Sequence, residues 1–204
     1  MSQPEEKVIA LATPLTLGSL KYDSVLLREP TVDELDRSAQ TPGSTYAVNA
    51  ALISMVSSIP LTMIRKLGKT AYEEAVAYLK GFDWTPPKDA AKAPEKTVVL
   101  KRPITLNGDS RAYDSIALRE PTVDELDQSA QVEGTAYSSN VELIALVSGT
   151  PAAAVRKMGK SNYEEATAFL SGFTWAPPPS GSTSGSDAPT SPISTDGAPT
   201  PSDA

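Results

Sequence analysis

The chain has 204 residues, of which 40% are hydrophobic and 21% charged, with a formal net charge of -7 and neither cysteine nor histidine. That length suits one ordinary domain or two small ones, and the missing residue types remove disulfides, thiolate chemistry, sulfur metal sites and the commonest general base. The acidic balance offers no basic footprint for nucleic-acid phosphates, no run approaches the roughly 18 apolar residues of a membrane span, and Met1 to Glu6 is too polar for a secretory signal, so the sequence reads as intracellular and soluble.

In chain order, Val8 to Leu11 is a short β-type run stopped by Pro14. Extended structure then leads into Leu27-Arg28-Glu29-Pro30-Thr31-Val32-Asp33-Glu34-Leu35-Asp36, a strand-to-helix junction. Pro30 disfavours helix at Glu29, and Thr31 can cap a helix, with Glu34 three residues on completing a capping box. Val32, Leu35 and Ala39 share one face of that helix. After a polar loop around Gly43, a second helix over about 46 to 57 carries Leu52, Ile53 and Val56 on its apolar face. Pro60 suits the first turn of a short third helix, where its missing N–H costs nothing, and Gly68 should stop it. A fourth helix opens on a capping box from Thr70 to Glu73, with a core face of Tyr72, Ala75, Leu79 and Phe82. Trp84 and a proline pair close the unit.

The whole pattern then returns. Tyr22 to Pro87 aligns without a gap onto Tyr113 to Pro178, with roughly three positions in five identical. Lys7 to Leu17 aligns with Lys96 to Leu106, and two extra residues fall in the second copy's turn, where Asn107-Gly108 favours a tight hairpin. Val98 to Leu100 is stopped by Pro103, and the junction reappears as Leu118 to Asp127, with Thr122 and Glu125 as its capping pair. Leu143, Ile144 and Val147 then repeat the second helix, Pro151 and Gly159 bracket the third, and Ser161 with Glu164 opens the fourth over Tyr163, Ala166, Leu170 and Phe173. A period of about 90 residues is too long for solenoid repeats of about 20 to 50.

The predicted fold class is therefore α+β: two tandem small modules, each a β-hairpin followed by about four short helices. The modules are placed at residues 1–87 and 96–178, joined by an Ala, Lys and Pro linker at 88–95. Residues 179–204 are rich in Pro, Ser, Thr and Gly and are predicted to be disordered, because they bury too little apolar surface to offset ordering at roughly 1 to 2 kcal/mol per residue.

Several residue groups invite a chemical reading. Gly159-Lys160-Ser161 and Gly68-Lys69-Thr70 end like a phosphate-binding loop, which also needs a glycine five positions earlier and a preceding strand. Ala154 and Met63 occupy that position and a short helix precedes, so the fragment reads as a helix stop followed by a cap. The basic clusters Arg65, Lys66, Lys69 and Arg156, Lys157, Lys160 complement a helix dipole and read as solvated helix ends. Asp33, Glu34 and Asp36 suggest a metal or acid–base group, but they cluster at a helix start and no histidine or cysteine joins them. Arg28 and Glu29, with Arg119 and Glu120, form either an ion pair pinning hairpin to helix or a contact for a partner. Trp84 and Trp175 either close their own module's core or anchor an interface. These six residues, Arg28, Glu29, Trp84, Arg119, Glu120 and Trp175, are the candidate partner-binding set. No catalytic, cofactor or metal-binding residue is proposed.

The order of these features resembles a known family. The strand ending at Lys101-Arg102-Pro103-Ile104-Thr105-Leu106-Asn107-Gly108, the Tyr-Asp-Ser-Ile-Ala-Leu-Arg-Glu-Pro segment from Tyr113, the acidic helix start, the Gly-Thr-Pro151 turn and the last helix from Tyr163 to Gly172-Phe173 look like the tail assembly chaperone family of contractile-tailed, Mu-like phages and prophages. The resemblance covers about residues 7 to 176. It implies a non-enzymatic protein with no cofactor, acting in the host cytoplasm and scarce in the finished virion. The implied client is the long helical tape measure protein, held soluble while tail tube subunits polymerise round it, with apolar residues of the second and fourth helices lining the client surface. The tail tube protein and self-association are further expected partners; nucleic acid and membrane are not. The competing expectation is a tail or baseplate component retained in the virion. The family is usually a single module, so the fused pair and the proline-rich tail depart from its pattern.

Overall fold

The computed structural model describes residues 4–86, 93–108 and 111–173. Trp175, most of the linker and the tail expected to be disordered lie outside those residues. Each module begins with an antiparallel hairpin: β1 (Glu6–Leu17) with β2 (Leu20–Arg28), and β3 (Glu95–Thr105) with β4 (Ala112–Arg119). Four helices follow each. In the first module these are α1 (Val32–Ala39), α2 (Thr45–Ser57), α3 (Leu61–Ile64) and α4 (Lys69–Lys80). In the second they are α5 (Val123–Ala130), α6 (Ala136–Ser148), α7 (Ala152–Val155) and α8 (Lys160–Ser171). The α+β architecture read from the repeat is thus the observed one.

A two-stranded hairpin is marginal in water unless something covers one face. Strand alternation supplies that face, with Ile9, Leu15, Val25 and Leu27 buried and Val8 and Leu26 exposed. The helices close over it to form one core from Ile9, Val25, Leu27, Ile53, Val56, Met63, Ala75 and Leu79. The second core repeats it with Val98, Ile116, Leu118, Ile144, Val147, Met158, Ala166 and Leu170. One member of that second core comes from elsewhere: Val32, from the first module's α1.

Three local expectations are corrected. Pro14 and Pro103 do not stop their strands. The ladder register shifts between Ala10 and Leu15 and between Val99 and Ile104, so both prolines fall in an irregularity that demands no ladder N–H. Gly68 and Gly159 do not close the third helices in a left-handed turn; they are N-caps of α4 and α8, with φ of -61° and -67°. The capping boxes expected at Thr70 and Ser161 consequently do not form, because both residues already lie inside the first helical turn. The left-handed stops occur instead after α2 and α6, at Ser58 (φ 57°) and Gly149 (φ 66°). Among the described residues no helix is long and apolar enough to cross a membrane.

Candidate functional site

The junction is built around one carboxylate per module. Thr31 caps α1 through its hydroxyl, and Glu34 reaches back to accept from the Thr31 N–H at 2.9 Å, completing the capping box. The same Glu34 carboxylate takes a two-pronged hydrogen bond from Arg28, with Nη1 to Oε2 at 2.8 Å and Nη2 to Oε1 at 2.6 Å. Burial pushes Glu34 up, but the bonds from Arg28 and Thr31 outweigh it and hold the carboxyl below its ordinary value. In the second module Arg119 grips Glu125 in the same way, at 2.9 and 2.6 Å. There the Arg119 hydrogen bond, helped by Thr122, lowers the Glu125 carboxyl to about 2. Each arginine therefore ties β2 or β4 to the helix that follows; its carboxylate partner is the capping glutamate, and from the adjacent Glu29 or Glu120 it meets the backbone carbonyl, at 3.0 Å.

Glu29 turns the other way, into the second module. Its Oε1 accepts from the Ser161 N–H at 2.7 Å and from the Ser161 hydroxyl at 2.6 Å, while Lys101 Nζ reaches Oε2 at 3.1 Å. The Gly159-Lys160-Ser161 turn is therefore an anion cradle at a helix N-terminus, and the anion is a carboxylate of the same chain. Gly159 is required for the close approach, since a Cβ there would lie 2.9 Å from Glu29 Cδ.

Backbone bonds extend this seam. Val32 N–H donates to Met158 O at 3.0 Å, Asp33 N–H to Arg156 O at 2.9 Å, and Lys160 N–H to Pro30 O at 2.9 Å. One turn further, Asp36 is 2% exposed and is surrounded by donors. Arg156 Nη1 reaches it at 2.8 Å, Ser138 Oγ at 2.9 Å and Gln40 Nε2 at 3.1 Å, and Thr135 Oγ1 completes the set. Burial alone would raise the carboxyl, yet the bonds from Thr135, Arg156, Ser138 and Gln40 bring it down to about 2. Lys160 pairs with Asp83, again across the seam. The expectation of a merely solvated basic helix end is thus overturned in the second module, where Arg156 and Lys160 each hold a carboxylate of the first.

Trp84 also belongs to the seam rather than to its own core. Its backbone N–H donates to Glu164 Oε2 at 2.7 Å, and Lys96 Nζ sits 4.8 Å from the ring centre. Together with Ala168, Phe169 and Phe173, it lines an open groove of about 590 Å³.

The two modules differ most where this seam is concerned. Val32 and Leu35 are buried, whereas their counterparts Val123 and Leu126 are 83% and 44% exposed. Glu120 and Asp127, which correspond to Glu29 and Asp36, face solvent. On the receiving side, Arg65 and Lys69 are exposed where Arg156 and Lys160 are covered. The first module's receiving surface is an unfilled groove of about 400 Å³ lined by Tyr46, Ala47, Ala50, Ile64, Leu67 and Tyr72, among others.

The sequence reading placed Glu29 and Trp84 among the candidates but missed Asp36, Thr135, Ser138 and Ser161 as seam residues. No sequence signal marks them, since the two helix starts differ at most positions and Ser138 is one of several changes there. Among the described residues no group of three or more acidic side chains could hold a metal.

A family model described as "Phage tail assembly chaperone proteins, E, or 41 or 14" matches the chain twice, over residues 8–83 and 97–174. No curated protein and no solved structure matches it.

Proposed function

From the chain's membership of the phage tail assembly chaperone family, we propose that it is a non-enzymatic chaperone that binds the tape measure protein and keeps it soluble while the tail tube is built. The double family match is the observation that carries this reading. The physical demand is a surface that accepts apolar stripes of a long helix without catalysis. Helix two cannot supply it in the way the sequence suggested, because Ile53, Val56, Ile144 and Val147 are buried against the hairpins. The better support is the open groove beside Trp84, where Ala168, Phe169 and Phe173 offer an apolar floor and Glu95, Lys96 and Glu164 a charged rim. An aromatic floor with a polar rim suits an amphipathic helix, whose apolar stripe enters while its charged flanks stay wet.

Co-expression with the tape measure protein tests the reading. The client is expected to remain soluble and to co-purify with this chain, and a Trp84→Ala change to weaken that capture. Unchanged client solubility when the chain is present sinks it. Mass spectrometry of purified virions separates the chaperone from a retained tail or baseplate subunit, since a chaperone is scarce in the finished particle.

A further inference from the structure

Each chain carries both halves of its seam twice: a filled joint inside, plus a projecting junction on the second module and a receiving groove on the first that no other described residue fills. We propose that copies of this chain associate head to tail, the junction from Glu120 to Asp127 of one copy docking in the α2–α4 groove of the first module of the next.

The internal seam shows what such a joint looks like, and both free surfaces are already shaped for it. The projecting element is pre-folded: α5 carries the same capping box as α1, and Arg119 grips Glu125 as Arg28 grips Glu34. The receiving groove has the walls of the filled one. Tyr46 and Tyr72 stand 5.7 Å apart at 36°, against 5.6 Å and 35° for Tyr137 and Tyr163 in the second module. Asn49 donates to the Tyr72 hydroxyl at 3.2 Å as Asn140 does to Tyr163 at 3.0 Å. Filling the groove therefore needs no rearrangement of its sides.

The chemistry also corresponds. Val123 and Leu126 are apolar side chains exposed to water, whereas Val32, the counterpart of Val123, is packed into the second module's core and Leu35, the counterpart of Leu126, is buried. Asp127 would meet Arg65 and Ser44 as Asp36 meets Arg156 and Thr135. Glu120 would meet the Thr70 hydroxyl and N–H beside Gly68, as Glu29 meets Ser161 beside Gly159. Three contacts have no counterpart, because Ala47 replaces Ser138, Ala12 replaces Lys101, and Thr174 stands where Asp83 pairs with Lys160. The joint between chains is also formed without a linker holding its halves together. It is accordingly weaker than the internal one.

Projection and groove are different surfaces, so the contact is heterologous. Each copy keeps one of each free, and growth proceeds to a ring or an open filament of evenly repeated modules. Nothing in this requires a client, so its failure leaves the chaperone reading standing, and the reverse also holds.

Sedimentation velocity on the full chain from about 5 μM to about 1 mM tests it, alongside two surface variants. The unaltered chain is expected to grow in mean mass beyond a dimer as concentration rises, and to do so less at high salt. Val123→Asp blocks the projection and Arg65→Glu blocks the groove, and each alone is expected to weaken association at least about tenfold. Mixed, they retain one working projection and one working groove, so they should form a one-to-one dimer and nothing larger. Thermal melts of both variants check that the modules remain folded, with Leu126→Lys as the substitute projection variant if Val123→Asp melts early. A chain that stays monomeric throughout, association that survives both substitutions, or a mixture that stays monomeric overturns the proposal.

Discussion

Asp36 and Arg156 lie 120 positions apart in the chain, yet Arg156 Nη1 donates to Asp36 Oδ2 at 2.8 Å in the middle of the seam between the modules. A buried ion pair is no gain by default, since both charges must leave water. Here the carboxylate is compensated by Thr135, Ser138 and Gln40 as well, while part of the Arg156 side chain keeps its hydration. The arrangement fixes how α1 sits on the second module, because a displaced Asp36 would lose all these donors at once.

Removing that carboxylate should therefore be costly. Asp36→Ala is expected to lower the unfolding free energy by about 2–3 kcal/mol, leaving Arg156 and Ser138 short of an acceptor. The same change at the exposed Asp127 should stay within about 0.5 kcal/mol in dilute protein. Urea denaturation of the two variants at neutral pH checks the contrast.

Acid should act on the same joint. An unperturbed aspartate titrates near 3.8, while folding holds Asp36 at about 2. Between those values the unfolded chain binds more protons than the folded one, so stability falls as pH falls. The Asp36 contribution is complete above about pH 4 and is lost by about pH 2. Glu34 and Glu125, also held low, act in the same direction. Denaturation followed from pH 5 to pH 2 should show a shallower acid loss in Asp36→Asn than in the unaltered chain.

The paired valines give a packing test that is free of charge effects. Val32→Ala removes two buried carbons from the second module's core and should cost about 2 kcal/mol. Val123→Ala, at a position 83% exposed, should cost no more than about 0.5 kcal/mol. Thermal melts of dilute samples distinguish them, and equal losses would mean that the seam does not hold as described.

Gly159 and Gly68 supply a test of close approach. Both have ordinary negative φ, so backbone strain does not enter. A Cβ at 159 meets the Glu29 carboxylate, whereas one at 68 meets nothing within 4 Å. Gly159→Ala is expected to cost about 1 kcal/mol more than Gly68→Ala, by displacing Glu29 from Ser161. Chemical denaturation measures the difference.

Local physics made much of the fold legible in the sequence. Pro30 with the Thr31 and Glu34 capping pair marked the start of α1, and the spacing of Ala75, Leu79 and Phe82 marked the core face of α4, because both signals act within a turn or two of helix. The proline positions misled, since a strand interrupted by an irregularity looks like a strand that ends. Glu29 and Trp84 each admit two readings in the sequence, a contact within their own module or an interface, and nothing local decides between them because the partners lie 132 and 80 positions away. Asp36 reads in the sequence only as one of three carboxylates at a helix start, a local explanation that conceals its partners across the seam.

By itself, then, the sequence determined two hairpin-and-helix modules, the capping boxes that start α1 and α5 and the absence of cysteine and histidine chemistry, while the caps of α4 and α8 fell on other residues than the spacing suggests. Only the tertiary structure decided that the two nearly identical junctions have different fates. Val32 and Val123 sit in the same local sequence, and burial is a property of what lies opposite. The first junction has a second module to enter and the second meets none among the described residues, so one repeated stretch is a core element in one copy and an open surface in the other.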